Sequence, residues 1–372
     1  MCGSVSSALG SLITDMQAAV RAGDDARFER CLAGLHAAGQ SASVDDLTGA
    51  VASMASWLCT LNGLFAKAAL AAGAFVEWGG SPLPLGETLP GWVAYKMRLY
   101  ALFQDVWPRA SGGRPLPDQE DLSAMGPAIE LMTAWAEHAR HSARAVAGMG
   151  QIVATWFDLD DWLMLMITLM VRREFRAAMA DRDELRESAA AIAGAVQSAA
   201  WVHGLSVVLD GEPLVALDYA SRRGFHLTMS GVGDNFQLHT LLADRLAGHG
   251  QQSPFGLEPP KPEWVAAATD APPRLPLTDP VLRRFRLFDG LGSYVFPEGR
   301  PAGIAPLDGT RVVVLHAPLG RFGWSNGRIY EHMTPTLTLD RFMEPAEAAR
   351  WLARVHPARE DDFMSVNDKS GS

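Results

Sequence analysis

A chain of 372 residues, 48% apolar and 20% charged, holds enough apolar matter for two ordinary domains, each with its own core. Its net charge of −10 excludes a uniformly basic grip on nucleic acid. The three cysteines, Cys2, Cys31 and Cys59, form no CxxC pair, which excludes a zinc knuckle or dithiol motif and predicts reduced thiols in a cytoplasmic protein.

The opening MCGSVSSALGSLITDMQ lacks a basic n-region, so no signal peptide is expected. Residues 10–200 then read as helix after helix. Leu12, Met16 and Val20, then Phe28, Leu32 and Leu35, recur at helical spacing. One or two buried helices are expected over 45–73, a Pro-rich break over 81–90 and a helix over 91–107. A Gly/Pro loop over 109–117 precedes helices over 125–149, 154–180 and 182–200. The most apolar window, 162–171, is half the roughly 20 residues a membrane span needs, so no span is expected. It reads as a buried helix with Asp158, Asp160 and Asp161 at its N-terminal end and Arg172 and Arg173 beyond it, as the helix dipole favours.

Near Trp201 the pattern changes. Residues 205–209 and 214–217 flank Asp210-Gly211 and read as a hairpin. Phe225, Leu227 and Met229 alternate with polar neighbours as a strand. A helix is expected over 235–247, a long irregular crossing over the Pro-rich 254–280, and strands over 293–296, 311–316 and 336–339. A last helix starts near Pro345, with Ala348, Trp351, Leu352 and Val355 on one face. The expected fold class is α+β: an all-helical domain over 1–200, then an α+β domain over 201–356 with a small, mainly antiparallel sheet. The tail 357–372 is expected to be disordered.

Several short patterns hint at chemistry, each with a plainer reading beside it. Gly323-Trp324-Ser325-Asn326-Gly327 fits the Gly-x-Ser-x-Gly elbow that would make Ser325 a nucleophile. The required strand and helix are not predicted around it, and Asn-Gly is a strong hairpin signal, with 321–324 and 328–330 as arms. Gly231-Val232-Gly233-Asp234-Asn235-Phe236 sits where a dinucleotide fingerprint would. It lacks the third glycine, and Asp234 would repel a phosphate, so Asp234 reads as a helix cap with Gln237 as its partner. Asp158-Leu159-Asp160-Asp161 matches the DxDD of class II terpene cyclases, where the aspartate is a general acid. That resemblance covers four residues, and it would place acid catalysis on Asp160. His138 and His141 could share a metal, yet no HExxH is present and a solvated helix face is the plainer account.

The run GVGDNFQLHTLLADRL, with TLTLDRFMEPAEAARWL after it and FDLDDW before, resembles a family of actinobacterial hypothetical proteins. The resemblance implies a bacterial cytoplasmic setting and assigns no activity.

The functional expectation is a ligand- or partner-binding protein without a recognisable catalytic motif. Arg222, Arg223, Asn235, Trp324 and Arg328 are its candidate ligand-binding residues, because polar and aromatic residues at turns and element ends are where sites form. The alternative is a small-molecule enzyme, of specialised metabolism, with His239 as general acid/base assisted by Asp234 and His332. It requires those residues to converge in one pocket. No cofactor, metal or nucleic acid is expected. The partner is a small molecule or a protein.

Overall fold

The computed structural model describes residues 3–247, 258–270, 279–324 and 328–359. Between Ser206 and Val207 the chain divides into a helical unit and a unit of mixed sheet and helices, an α+β architecture overall.

The helical unit contains α1 (Gly3–Ala22), α2 (Asp25–Gly39), α3 (Val44–Leu58), α4 (Ala68–Glu77), α5 (Leu89–Ala110), α6 (Met125–His138), α7 (Ala143–Met170), α8 (Arg173–Ala178), α9 (Arg182–Ile192) and α10 (Gln197–Ser206). Side-chain caps begin α2, α3 and α7, where Asp24, Ser43 and Ser142 accept the backbone N–H of Arg27, Asp46 and Ala145. The long α7 is the hub, with α4, α5, α6 and α10 packed around it. Within 162–171, Trp162, Leu163, Leu165, Met166, Leu169 and Met170 are buried, while Met164 is exposed, so the window reads as more apolar than its burial requires. No described helix is long and apolar enough to cross a membrane.

The helix boundaries need correction. The helix expected over 125–149 breaks near Arg140, which adopts φ +59. Because α7 begins at Ala143, Asp158, Asp160 and Asp161 lie in its middle and gain nothing from the helix dipole.

In the second unit, β1 (Glu212–Asp218) and β2 (Arg223–Ser230) are followed by α11 (Asn235–Leu246) and α12 (Pro262–Thr269). Then come β3 (Val281–Leu282), β4 (Arg286–Asp289), β5 (Pro306–Leu307), β6 (Thr310–His316), β7 (Gly323–Trp324), β8 (Thr336–Phe342) and α13 (Pro345–Leu352). The main sheet runs β4-β6-β1-β2-β8, with β5 also on β6. Only the β1–β6 pair is parallel. Alternation divides its side chains. Leu214, Ala216, Phe225, Leu227, Val313 and Leu315 pack with the leucines of α11. Val215, Leu217, Val312 and Val314 pack with Ala348 and Leu352 of α13. Burial on both faces explains why β1 and β6 are continuous apolar runs.

Several expectations in this unit give way. Residues 205–206 end α10, and the hairpin is β1–β2, turning where Arg222 adopts φ +61. The strand expected over 293–296 is a single bridge from Tyr294 to Phe288 of β4. The crossing over 254–280 contains α12, whose Trp264 is buried. Gly323–Trp324 pairs with Val281–Leu282 and not with 328–330, while Ser325, Asn326 and Gly327 lie outside the described residues. At the tail, the His356 and Arg359 N–H groups donate to Gly290 O and Gly292 O, so 356–359 is bonded down. The rest of the expected tail lies outside the described residues.

Candidate functional site

The start of α11 gathers Gly233, Asp234, Asn235, Phe236 and Gln237. Asp234 caps the helix, accepting the Gln237 N–H at 2.8 Å. Gln237 reaches back to accept the Gly233 N–H at 2.7 Å, and its Nε2 donates to Ala268 O, which ties α12 to α11. The Asn235 and Phe236 N–H groups donate to Gly299 O and Pro297 O. The first three amides of α11 are therefore all paired, and none is left for a phosphate. Gly233 serves packing: a Cβ there would lie 2.5 Å from Ile329 Cγ2 and 3.1 Å from the Tyr330 ring. The glycine pattern is thus a close-approach loop under 329–330. Burial lifts the Asp234 carboxyl to about 6, against the Gln237 and Phe236 N–H groups and Arg300.

His239, one turn further along, is 5% exposed. Its Nε2 accepts the Arg284 N–H at 3.0 Å, which places the ring proton on Nδ1. Its ring lies 4.2 Å from that of Phe285 and 5.1 Å from that of Trp324. Burial, then Arg283 and Arg284, push its pKa down to about 3. The ring lies inside the core, and its acceptor nitrogen is occupied by the Arg284 N–H in this arrangement. His239 is a buried histidine that also lines a small cavity.

The other candidates scatter. Arg222 and Arg223 stand at the β1–β2 turn, at the opposite end of β2 from Asp234. Seven strand steps of about 3.3 Å put them roughly 23 Å away, too far for a shared ligand. The Arg328 guanidinium donates to Thr269 O at the end of α12. His332 is exposed. Asp160 is also exposed and accepts the Ser198 hydroxyl at 2.7 Å, while Asp158 is buried, so the DxDD carboxylates do not face one cavity.

Two features lay beyond sequence reasoning. The first is a cleft of about 620 Å³ between α11 and β8. Leu241, Asp244, Arg245 and Ala247 form one wall, and Thr336, Leu337, Thr338 and Leu339 form the other. Consecutive strand residues point to opposite faces of a sheet, so a cleft lined by four in a row runs along the strand edge. Among the described residues β8 pairs with β2 alone, so this is the outer edge of the sheet. The second is a network on the α13 face, where His226 Nε2 lies 2.9 Å from Glu347 Oε1. Arg341, opposite His226 in the β2–β8 register, donates twice to the same carboxylate at 2.7 Å. These hydrogen bonds pull the Glu347 pKa down to about 2. His226 and Glu347 are far apart in the chain, and only the fold brings them together.

In the helical unit, Asp158 explains the FDLDDW motif. Lys96 Nζ lies 2.9 and 2.8 Å from its two oxygens and 2.8 Å from Asn62 Oδ1, and the Gly63 N–H donates to it at 2.7 Å. The Trp92 and Trp162 rings stand 5.3 and 5.7 Å from the ammonium. Burial pushes the ammonium pKa down and the carboxyl pKa up, and their mutual attraction opposes both shifts. Lys96 and Asp158 are 0% and 1% exposed, so the pair is a pin in the bundle and not a site open to substrate. Among the described residues no three His, Cys, Asp or Glu side chains gather to hold a metal.

Compared with known proteins, the chain matches no family model, no curated protein and no solved structure.

Proposed function

We propose that the α+β unit is a partner-binding module that takes an extended polypeptide segment between the free edge of β8 and α11. The carrying observation is the cleft running along a strand edge that is unpaired among the described residues. Such an edge offers a row of backbone N–H and C=O groups, and an added strand satisfies them while its alternate side chains enter the groove. Leu339 supplies apolar contact beside the buried Leu241 and Leu337, and Asp244 and Arg245 supply polar contact at the rim. Catalysis through His239 has no comparable support, since that ring is neutral, buried and hydrogen-bonded.

Peptides of random sequence selected on the full-length protein test this. In the bound sequences, N-methylation at alternate positions should weaken binding by tenfold or more, and at the intervening positions much less, because only alternate amides face the receiving strand. Asp244→Trp, which fills the cleft from the α11 side, should weaken the same peptides. Methylation effects without alternation, together with binding that survives Asp244→Trp, would rule out strand addition here.

A further inference from the structure

Two residues of the α+β unit that line one small cavity each carry a buried polar atom with no partner among the described residues: Asn235 Oδ1 and Trp324 Nε1. Asn235 is 5% exposed. Its amide cannot be turned round, because Nδ2 donates to Phe296 O at 2.7 Å and the reverse orientation would press Oδ1 against that carbonyl. Oδ1 is thereby fixed as an acceptor. The indole Nε1–H of Trp324 is a donor only, and its ring is held against Phe236 and His239 at 5.1 Å from each. His239, Phe285 and Tyr294 complete the aromatic wall.

The cavity measures about 10 Å³, counted as space open to the centre of a water molecule. That is room for about one water. One fixed acceptor and one fixed donor in a cavity of this size match a molecule that can both donate and accept. A larger ligand does not fit, and an apolar one would leave both atoms unsatisfied.

We propose that this cavity is a binding site for a single resident water, which donates to Asn235 Oδ1 and accepts from Trp324 Nε1. The water joins three stretches of chain: the first turn of α11, the turn at Phe296 that Asn235 already holds, and β7. It completes the polar wiring that places Trp324 against α11.

A crystal structure of the full-length protein at about 1.5 Å resolution is the test. The expected result is a density peak roughly 2.7–3.2 Å from both atoms. In solution, the Trp324 indole N–H resonance, assigned by its loss in Trp324→Phe, should show an NOE to water with the sign of a long-lived bound molecule. Asn235→Leu should abolish both signals. Absence of the peak and of the NOE in the wild-type protein overturns the proposal, as does a peak bonded to only one of the two atoms. Both wild-type measurements decide the matter even where Asn235→Leu does not fold.

Discussion

Replacing Lys96 by Met removes one half of a fully buried ion pair. The wild-type ammonium contacts both oxygens of Asp158 and Asn62 Oδ1, and among the described residues the carboxylate otherwise has only the Gly63 N–H. After the substitution, a carboxylate in a position 1% exposed keeps a single hydrogen bond. Stranding one partner of such a pair costs about 3–5 kcal/mol, which lowers the folding equilibrium constant by roughly two to three and a half orders of magnitude. The double variant Lys96→Met/Asp158→Asn removes the charge while keeping an acceptor for Gly63, and it should recover at least half of that loss. Urea unfolding followed by far-UV circular dichroism reads this out, with the two units fitted as separate transitions. A loss below about 1 kcal/mol for Lys96→Met, or a double variant no better than the single one, would refute the pin.

Other perturbations read the α+β unit. The His239 ring should stay neutral, as the Nδ1–H tautomer, down to pH about 3, which nitrogen chemical shifts report directly. Its folded pKa lies below the unfolded value, so the unfolded chain binds the extra proton, and stability falls as pH drops from about 6.5 towards 3. Asp234 works in the opposite sense. Its folded pKa, about 6, lies above the unfolded value, so its contribution is present in acid and is lost as pH rises through about 6. The two slopes oppose one another between about pH 4 and 6, and Asp234→Asn, which keeps the helix cap, should make stability rise more steeply with pH there. Unchanged slopes in denaturant titrations would contradict both assignments. Glu347→Gln should abolish a contribution that is present above the ordinary carboxylate range and lost as pH falls towards about 2.

Much of the fold was legible where one period dominates. Asp234 followed by Leu238, Leu241, Leu242 and Leu246 specifies a capped helix with one apolar stripe, and α11 is that helix. Alternation in β2 marks a strand in the same way. The failures fall where period cannot decide. Leu205-Ser206-Val207-Val208-Leu209 is too short to separate helix from strand, and α10 claims its first two residues. Arg286–Asp289 has no alternation because all four residues are buried. Asp158 looked like a helix-start aspartate, since nothing local reveals that Lys96, two helices earlier, neutralises it. The cleft depends on which strand ends the sheet, and the His226–Glu347–Arg341 network depends on a β2–β8 register that no local window contains. His239 drew attention as a near-neutral titrating group, and burial against Phe285 and Trp324 removes that property.

Amide hydrogen exchange on the full-length protein, with and without a saturating selected peptide, tests the central claim most directly. Strand addition predicts slowed exchange confined to Thr336–Phe342 and the facing turns of α11, because β8 amides that face solvent gain a hydrogen-bond partner. Peptide binding that leaves β8 exchange unchanged, or that protects only the helical unit, would contradict it.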